Sequence, residues 1–183
     1  MINYFLLIPL LASFLITLIT MPNWIKKTKQ FGLIWEDMNK FDKRTASGSG
    51  GVIAVGAFVV GVLLYIAYIV FYTKSQDGLL IEAFALLNVV LLLGAVGLVD
   101  DLLGWRRGGL SKRLRLVLAG LASIPIIVIN AGDSFISLPF VGNVELGMLY
   151  PLVLIPIGIM GTTTTYNFLA GFNGLEAGQG III

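Results

Sequence analysis

Neither cysteine nor histidine occurs anywhere in the 183 residues. Disulfides, Cys/His zinc sites and any mechanism that needs an imidazole base are excluded with them. A metal bound here must use oxygen donors, which favours Mg²⁺, with Mn²⁺ as the alternative. Charge is scarce as well: 12% of residues are Asp, Glu, Lys or Arg, against 57% hydrophobic. A soluble domain carries about 25% charged residues, and the mean hydropathy here is +0.95. The composition is that of an integral membrane protein. A net charge of +2 is too small to argue for a nucleic-acid partner, so the placement of charge matters more than its sum.

What the chain has in quantity is long apolar runs, each close to the roughly 20 residues a membrane helix needs. The first covers residues 4–21 and is closed by Pro22. No basic residue precedes it and no small-residue cleavage site follows, so it reads as a retained helix rather than a signal peptide. Further runs cover 52–72, 79–99, 114–130 (bent at Pro125) and 147–163, the last with Pro151, Pro156 and Gly158. The third contains no charge but Glu82 and one strongly polar residue, Asn88. Between the fourth and fifth runs, β-prone pieces at 135–139 and 144–146 flank Val141, Gly142 and Asn143, which predicts a small hairpin on the membrane surface. The expected fold is an all-α polytopic membrane protein. It forms one membrane domain over residues 1–183, with about five transmembrane helices, the start of a sixth at Ile181 and an extracytoplasmic β-hairpin.

The twelve Lys and Arg residues divide unevenly between the connections: six in 22–51, five in 100–115, one in 73–78 and none in 131–147. The positive-inside rule then makes the first two cytoplasmic and puts the N-terminus outside. Five spans bring the segment 162–180 to the cytoplasmic side as well. Three connections therefore meet on one membrane face.

Two of them carry candidate chemistry. The third run ends in Asp100 and Asp101, followed by Arg106, Arg107, Lys112, Arg113 and Arg115. Carboxylates are costly in hydrocarbon, so the pair belongs where the helix meets water, next to a cation. Acidic and basic groups together at a membrane surface suit Mg²⁺ and phosphate chemistry; a solvated, capped loop would account for the same residues. The stretch from Tyr166 to Gly180 holds four glycines, which permit tight turns and close backbone approach, and two amides, Asn167 and Asn173, able to bind a cation or a base edge. A glycine-rich break between two membrane helices, capped by those amides, is the competing reading.

The segment Asn167-Phe168-Leu169-Ala170-Gly171-Phe172-Asn173-Gly174-Leu175-Glu176-Ala177-Gly178-Gln179 resembles the signature loop of the polyprenyl-phosphate N-acetylhexosamine-1-phosphate transferases (glycosyltransferase family 4). Gly97-Leu98-Val99-Asp100-Asp101 is similar to that family's aspartate pair, in the same order along the chain. Within the family, the loop is most similar to the branch that makes GlcNAc-diphosphodolichol. The bacterial muramoyl-pentapeptide branch has aspartates near the positions of Ala170 and Asn173. Three departures stand out. Residues 43–51 lack the proline that the family commonly carries shortly before its Gly-Gly, Thr164 stands where a further Asn is common, and the chain stops at Ile183 where the family has about ten spans. It therefore looks like an N-terminal fragment, expected to be inactive alone.

The resemblance implies transfer of GlcNAc-1-phosphate from UDP-GlcNAc to polyprenyl or dolichyl phosphate, with release of UMP at the cytoplasmic face. The implied partners are those two substrates and membrane lipid, and a homodimer is compatible with the scheme. The implied catalytic residues are Asp100, as acceptor of the lipid phosphate's proton, and Asp101, placing the metal or the basic loop. Mg²⁺ would be held at Asp101 and Asn167. Substrate contacts would come from Lys43, Arg113, Arg115, Asn167, Gly171, Asn173 (facing the uracil) and Glu176. A covalent aspartyl intermediate stays open. So does a related transferase using another UDP-N-acetylhexosamine or UDP-MurNAc-pentapeptide. A CDP-alcohol phosphotransferase would need a paired Asp-Gly and Ala-Arg pattern that this chain lacks. A non-enzymatic transporter half or scaffold would instead rest on Glu82 and Asn88, expected to face neighbouring helices or, for Glu82, the outer interface.

Overall fold

A computed structural model of the chain describes residues 5, 7–36, 45–74, 78–140, 142–169 and 175–182. The chain forms two compact units, one of residues 1–35 and 46–110, the other of residues 36–45 and 111–183.

The first unit is built on three helices long and apolar enough to cross a membrane: Leu7–Gln30, Gly51–Thr73 and Leu79–Gly104. Helix α1 (Leu7–Gln30) packs on α2 (Gly51–Tyr68), and α2 on α3 (Leu79–Arg107). A π-helical turn, Ile69–Thr73, prolongs α2. The apolar side chains point outward: Leu10, Phe14, Leu18 and Ile19 of α1 are all more than half exposed. That inverts the pattern of a water-soluble core and suits a bilayer as solvent. Contact between helices instead uses small residues, as membrane helices do. A methyl group placed on Gly61 would lie 3.1 Å from both Pro9 O and Ser13 Cβ, so α1 and α2 approach here to backbone distance. Gly61→Val is expected to destabilise the unit by about 1–3 kcal/mol through overpacking. Gly56→Val, where nothing lies within 4 Å, should be nearly neutral. Thermal unfolding in detergent checks the contrast; equal midpoints for the two variants would contradict this packing.

Two expectations are corrected in this unit. Pro22 does not close the first helix, which runs on to Gln30. Its last turn carries Lys27 and Lys29, cations that the carbonyl end of a helix favours. Asn88 is exposed rather than turned to a neighbouring helix, and its amide donates to Phe84 O of its own helix at 2.9 Å. Glu82 is exposed in the first turn of α3, where the helix dipole favours an acid. The loop after α1 also holds a two-stranded sheet that the sequence reading missed, β1 (Ile34–Glu36) with β2 (Thr45–Ser47).

The second unit starts with α4 (Lys112–Ala122) and α5 (Ile124–Ile129). The expected bend falls at Ser123, not at Pro125. Pro125 sits in the first turn of α5, where a missing N–H costs no helical hydrogen bond. Ser123 is fully buried and its hydroxyl donates to Gly120 O at 2.6 Å. The expected hairpin is present. Strand β3 (Phe135–Leu138) pairs antiparallel with β4 (Gly142–Glu145), with Phe135 opposite Glu145 and Ile136 opposite Val144. A π-helical turn, Tyr150–Leu154, leads into α6 (Ile155–Leu169), which packs against α4. A methyl on Gly120 would meet Met160 Sδ at 3.2 Å. Helix α7 (Leu175–Ile182) ends the described chain.

Candidate active site

Helix α3 does not stop at its aspartates. The apolar stretch reaches Gly104 and the helix continues to Arg107, so Asp100 and Asp101 lie inside it, both half-buried. Adjacent residues on a helix point about 100° apart, so the two carboxylates serve different directions and can serve different partners. The helix is closed by Gly108 (φ 84°), and Gly109 follows at φ 79°. Two left-handed residues in succession are cheap only for glycine. They turn the chain back so that the Leu110 amide donates to Asp100 Oδ1 at 2.7 Å. A backbone N–H at that distance fixes the carboxylate's rotamer.

The first loop is tied down in the same unit. Gly48 N donates to Leu33 O at 3.0 Å. The Trp24 indole N–H donates to Ser49 O at 3.1 Å, and Thr28 shares a hydrogen bond with the Ser47 hydroxyl. Ser49 itself is buried at φ 55°, in the left-handed region. The glycine-rich segment before α2 is thus ordered by the end of α1 rather than slack. Lys43, the expected contact from this loop, lies outside the described residues.

The remaining candidates belong to the second unit. Arg113 and Arg115 occupy the first turn of α4, whose N-cap Ser111 accepts from Leu114 N at 3.3 Å. Arg113 is exposed and Arg115 half-buried. Cations at a helix N-terminus oppose the dipole by about 0.3–1 kcal/mol each, and no acid shares that turn. The signature segment is more helical than expected: Asn167 lies in the last turn of α6, and Glu176 is the second residue of α7. Gly171 and Asn173 lie between, outside the described residues. Thr164, standing where the resembled family often has an Asn, donates to Met160 O at 2.6 Å. The structure therefore brings the Asp pair together with the turn 108–110 in one unit, and places Arg113, Arg115, Asn167 and Glu176 in the other. Sequence reasoning missed the Leu110 amide. The Gly108-Gly109 pair after a basic helix end was the available signal, as a C-cap motif.

Comparison with known proteins bears on the same stretches. The model of glycosyl transferase family 4 matches residues 83–183, which contain every expected site residue except Lys43. The chain belongs to that family. A protein of Saccharolobus solfataricus, named provisionally as a UDP-N-acetylglucosamine–dolichyl-phosphate N-acetylglucosaminephosphotransferase, is 33% identical over 97% of this chain and 52% of its own length. The Dictyostelium discoideum protein of that name is 29% identical over 92% of this chain and 44% of its own length. A phospho-N-acetylmuramoyl-pentapeptide-transferase of Streptococcus agalactiae is 26% identical over 90% of this chain and 51% of its own length. The chain spans about half the length of the curated relatives it matches. Relatives named for two different transferred groups are therefore similar to this chain over nine-tenths or more of its length.

Proposed function

We propose that the whole protein carrying this chain transfers GlcNAc-1-phosphate from UDP-GlcNAc to a dolichyl or other polyprenyl phosphate. A lipid phosphate oxygen attacks the sugar-bearing phosphorus, the bond to the UMP oxygen breaks, and UMP leaves. The observation that carries this reading is the hydrogen bond from Leu110 N to Asp100 Oδ1. It holds a half-buried carboxylate in one orientation at the end of an apolar helix, where a lipid phosphate would reside. Asp100 accepts the lipid phosphate's proton, a role for a positioned base. Both reactants are anionic, so their repulsion is the main barrier. Arg113 and Arg115 offset it, and Asn173 and Lys43 meet the nucleotide.

The donors fit a hard cation. Asp100 and Asp101 offer oxygen alone, and the chain holds neither thiolate nor imidazole. Oxygen donors of that kind suit Mg²⁺, which keeps waters and shares its shell with substrate phosphates. Asp101 and Asn167 would hold it, and when bound it neutralises diphosphate charge.

The aspartates, the first loop and the signature segment lie on the cytoplasmic face, with the N-terminus and the β3–β4 hairpin outside. The distribution of Lys and Arg supports this. Single cysteines at Ala46 and Ser137, both exposed, test it in a chain without native thiols. An impermeant thiol reagent applied to intact cells should label position 137 and not position 46. The reverse pattern would overturn the orientation.

For the activity, full-length protein in detergent should release UMP from UDP-GlcNAc when Mg²⁺ and dolichyl phosphate are both present. UDP-MurNAc-pentapeptide is the alternative donor, since the bacterial relative's name points to it. Release from that donor alone would reassign the sugar.

A further inference from the structure

Trp35 of β1 lies where two glycines leave room for it. A methyl on Gly48 would sit 2.6 Å from its Nε1 and 3.0 Å from its Cδ1. A methyl on Gly104 would sit 2.9 Å from its Cη2 and 3.5 Å from its Cζ2. The two ends of one indole thus fill the space of two missing side chains, one in the glycine-rich loop and one in α3. Gly104 is four residues after Asp100, so it shares the face of α3 that carries Asp100, one turn further on. The same Gly104 methyl would come 3.8 Å from Gly109 Cα. Gly109 directly precedes Leu110, whose amide holds Asp100 Oδ1. Trp35, Gly104, Gly109 and Asp100 therefore form one connected set inside the first unit.

We propose that Trp35 is a positioning residue for Asp100. Its indole, lodged between Gly48 and Gly104, keeps the carboxylate end of α3 and the returning Gly108–Leu110 turn aligned with the first loop. A flat, rigid side chain suits the task, because an indole spans the gap with two rotatable bonds and little freedom to lose. The ring does not touch substrate in this role; it acts through the Leu110–Asp100 hydrogen bond. The inference rests on the proposed function only for its kinetic readout.

The test is a cycle of Trp35→Ala, Gly104→Ala and the double variant in full-length protein, assayed by UMP release from UDP-GlcNAc. Misplacing a catalytic group by about 1 Å can cost on the order of a hundredfold in rate. Gly104→Ala, which drives a methyl into the Trp35 ring, is expected to lower kcat at least about tenfold, with KM for UDP-GlcNAc changed less than about threefold. Trp35→Ala should lower kcat in the same direction, and Trp35→Phe should restore most of it. In the double variant the methyl has space, so its kcat should match that of Trp35→Ala alone. Losses that multiply, or that fall on KM instead of kcat, would overturn the proposal. If the wild-type protein releases no UMP, the functional reading has failed, and thermal unfolding then decides the Trp35–Gly104 contact on which the inference stands. Ala normally stabilises a helix relative to Gly. Gly104→Ala should lower the unfolding midpoint with Trp35 present and raise it when Trp35 is Ala. The same sign in both backgrounds would overturn the inference.

Discussion

Asp100→Asn in the full-length protein should reduce kcat by at least about a hundredfold, within the range usual for removal of a general base. The variant is informative because little else should change. An Asn side chain retains an oxygen that can accept from Leu110 N, which now reaches Asp100 Oδ1 at 2.7 Å. The turn should stay closed, and the helix is not asked to repack, since the two side chains have the same shape. What is lost is the charge and the ability to take a proton. KM for UDP-GlcNAc should move much less than kcat, because the donor's nucleotide is met by other residues. Steady-state UMP release at saturating dolichyl phosphate measures both. Near-normal kcat would remove Asp100 from the role of base.

The second large effect comes from a residue with no side chain. Gly108 closes α3 at φ 84°, a conformation that costs a β-branched residue on the order of 1–3 kcal/mol. Gly108→Val should push the chain out of this turn, take the Leu110 amide away from Asp100 and lower kcat at least about tenfold. Gly108→Asn should stay within about threefold of wild type, since Asn tolerates the left-handed region. The pair separates backbone conformation from mere bulk. Equal turnover in the two variants would show that Asp100 does not depend on the turn.

The membrane class and three of the five expected spans were legible because apolar runs declare themselves by length; among the described residues, runs 114–130 and 147–163 are not helices of that kind. Residues 52–72 match Gly51–Thr73 almost residue for residue, and 79–99 matches the start of Leu79–Gly104 but stops short of its end. The hairpin was legible from β-prone residues around Gly142. Pro22 misleads because a proline after an apolar run reads as a helix stop, whereas α1 absorbs it and continues to Gln30. The sheet of β1 and β2 escaped notice because a loop rich in Lys and Asp reads as solvated, and three-residue strands have too few positions to show an alternation. The aspartate pair was found by type, but its environment was not. The Leu110–Asp100 bond joins residues ten apart through a main-chain donor, which side-chain patterns do not encode. Trp35 was invisible for a related reason: its partners, Gly48 and Gly104, have no side chains and are remote from it in sequence. Threonines of α6 illustrate the opposite case. Thr162, Thr163 and Thr164 all bond carbonyls of their own helix, so a polar run that looks like part of a loop is compatible with a membrane helix.

The central claim is that phosphorus travels with the sugar. UDP-GlcNAc labelled at the sugar-bearing phosphorus, incubated with full-length protein, Mg²⁺ and dolichyl phosphate, tests it in one extraction. The expected result is label in the lipid phase as GlcNAc-diphosphodolichol and unlabelled UMP in the aqueous phase. Label retained in aqueous UDP, with GlcNAc alone on the lipid, would contradict the account.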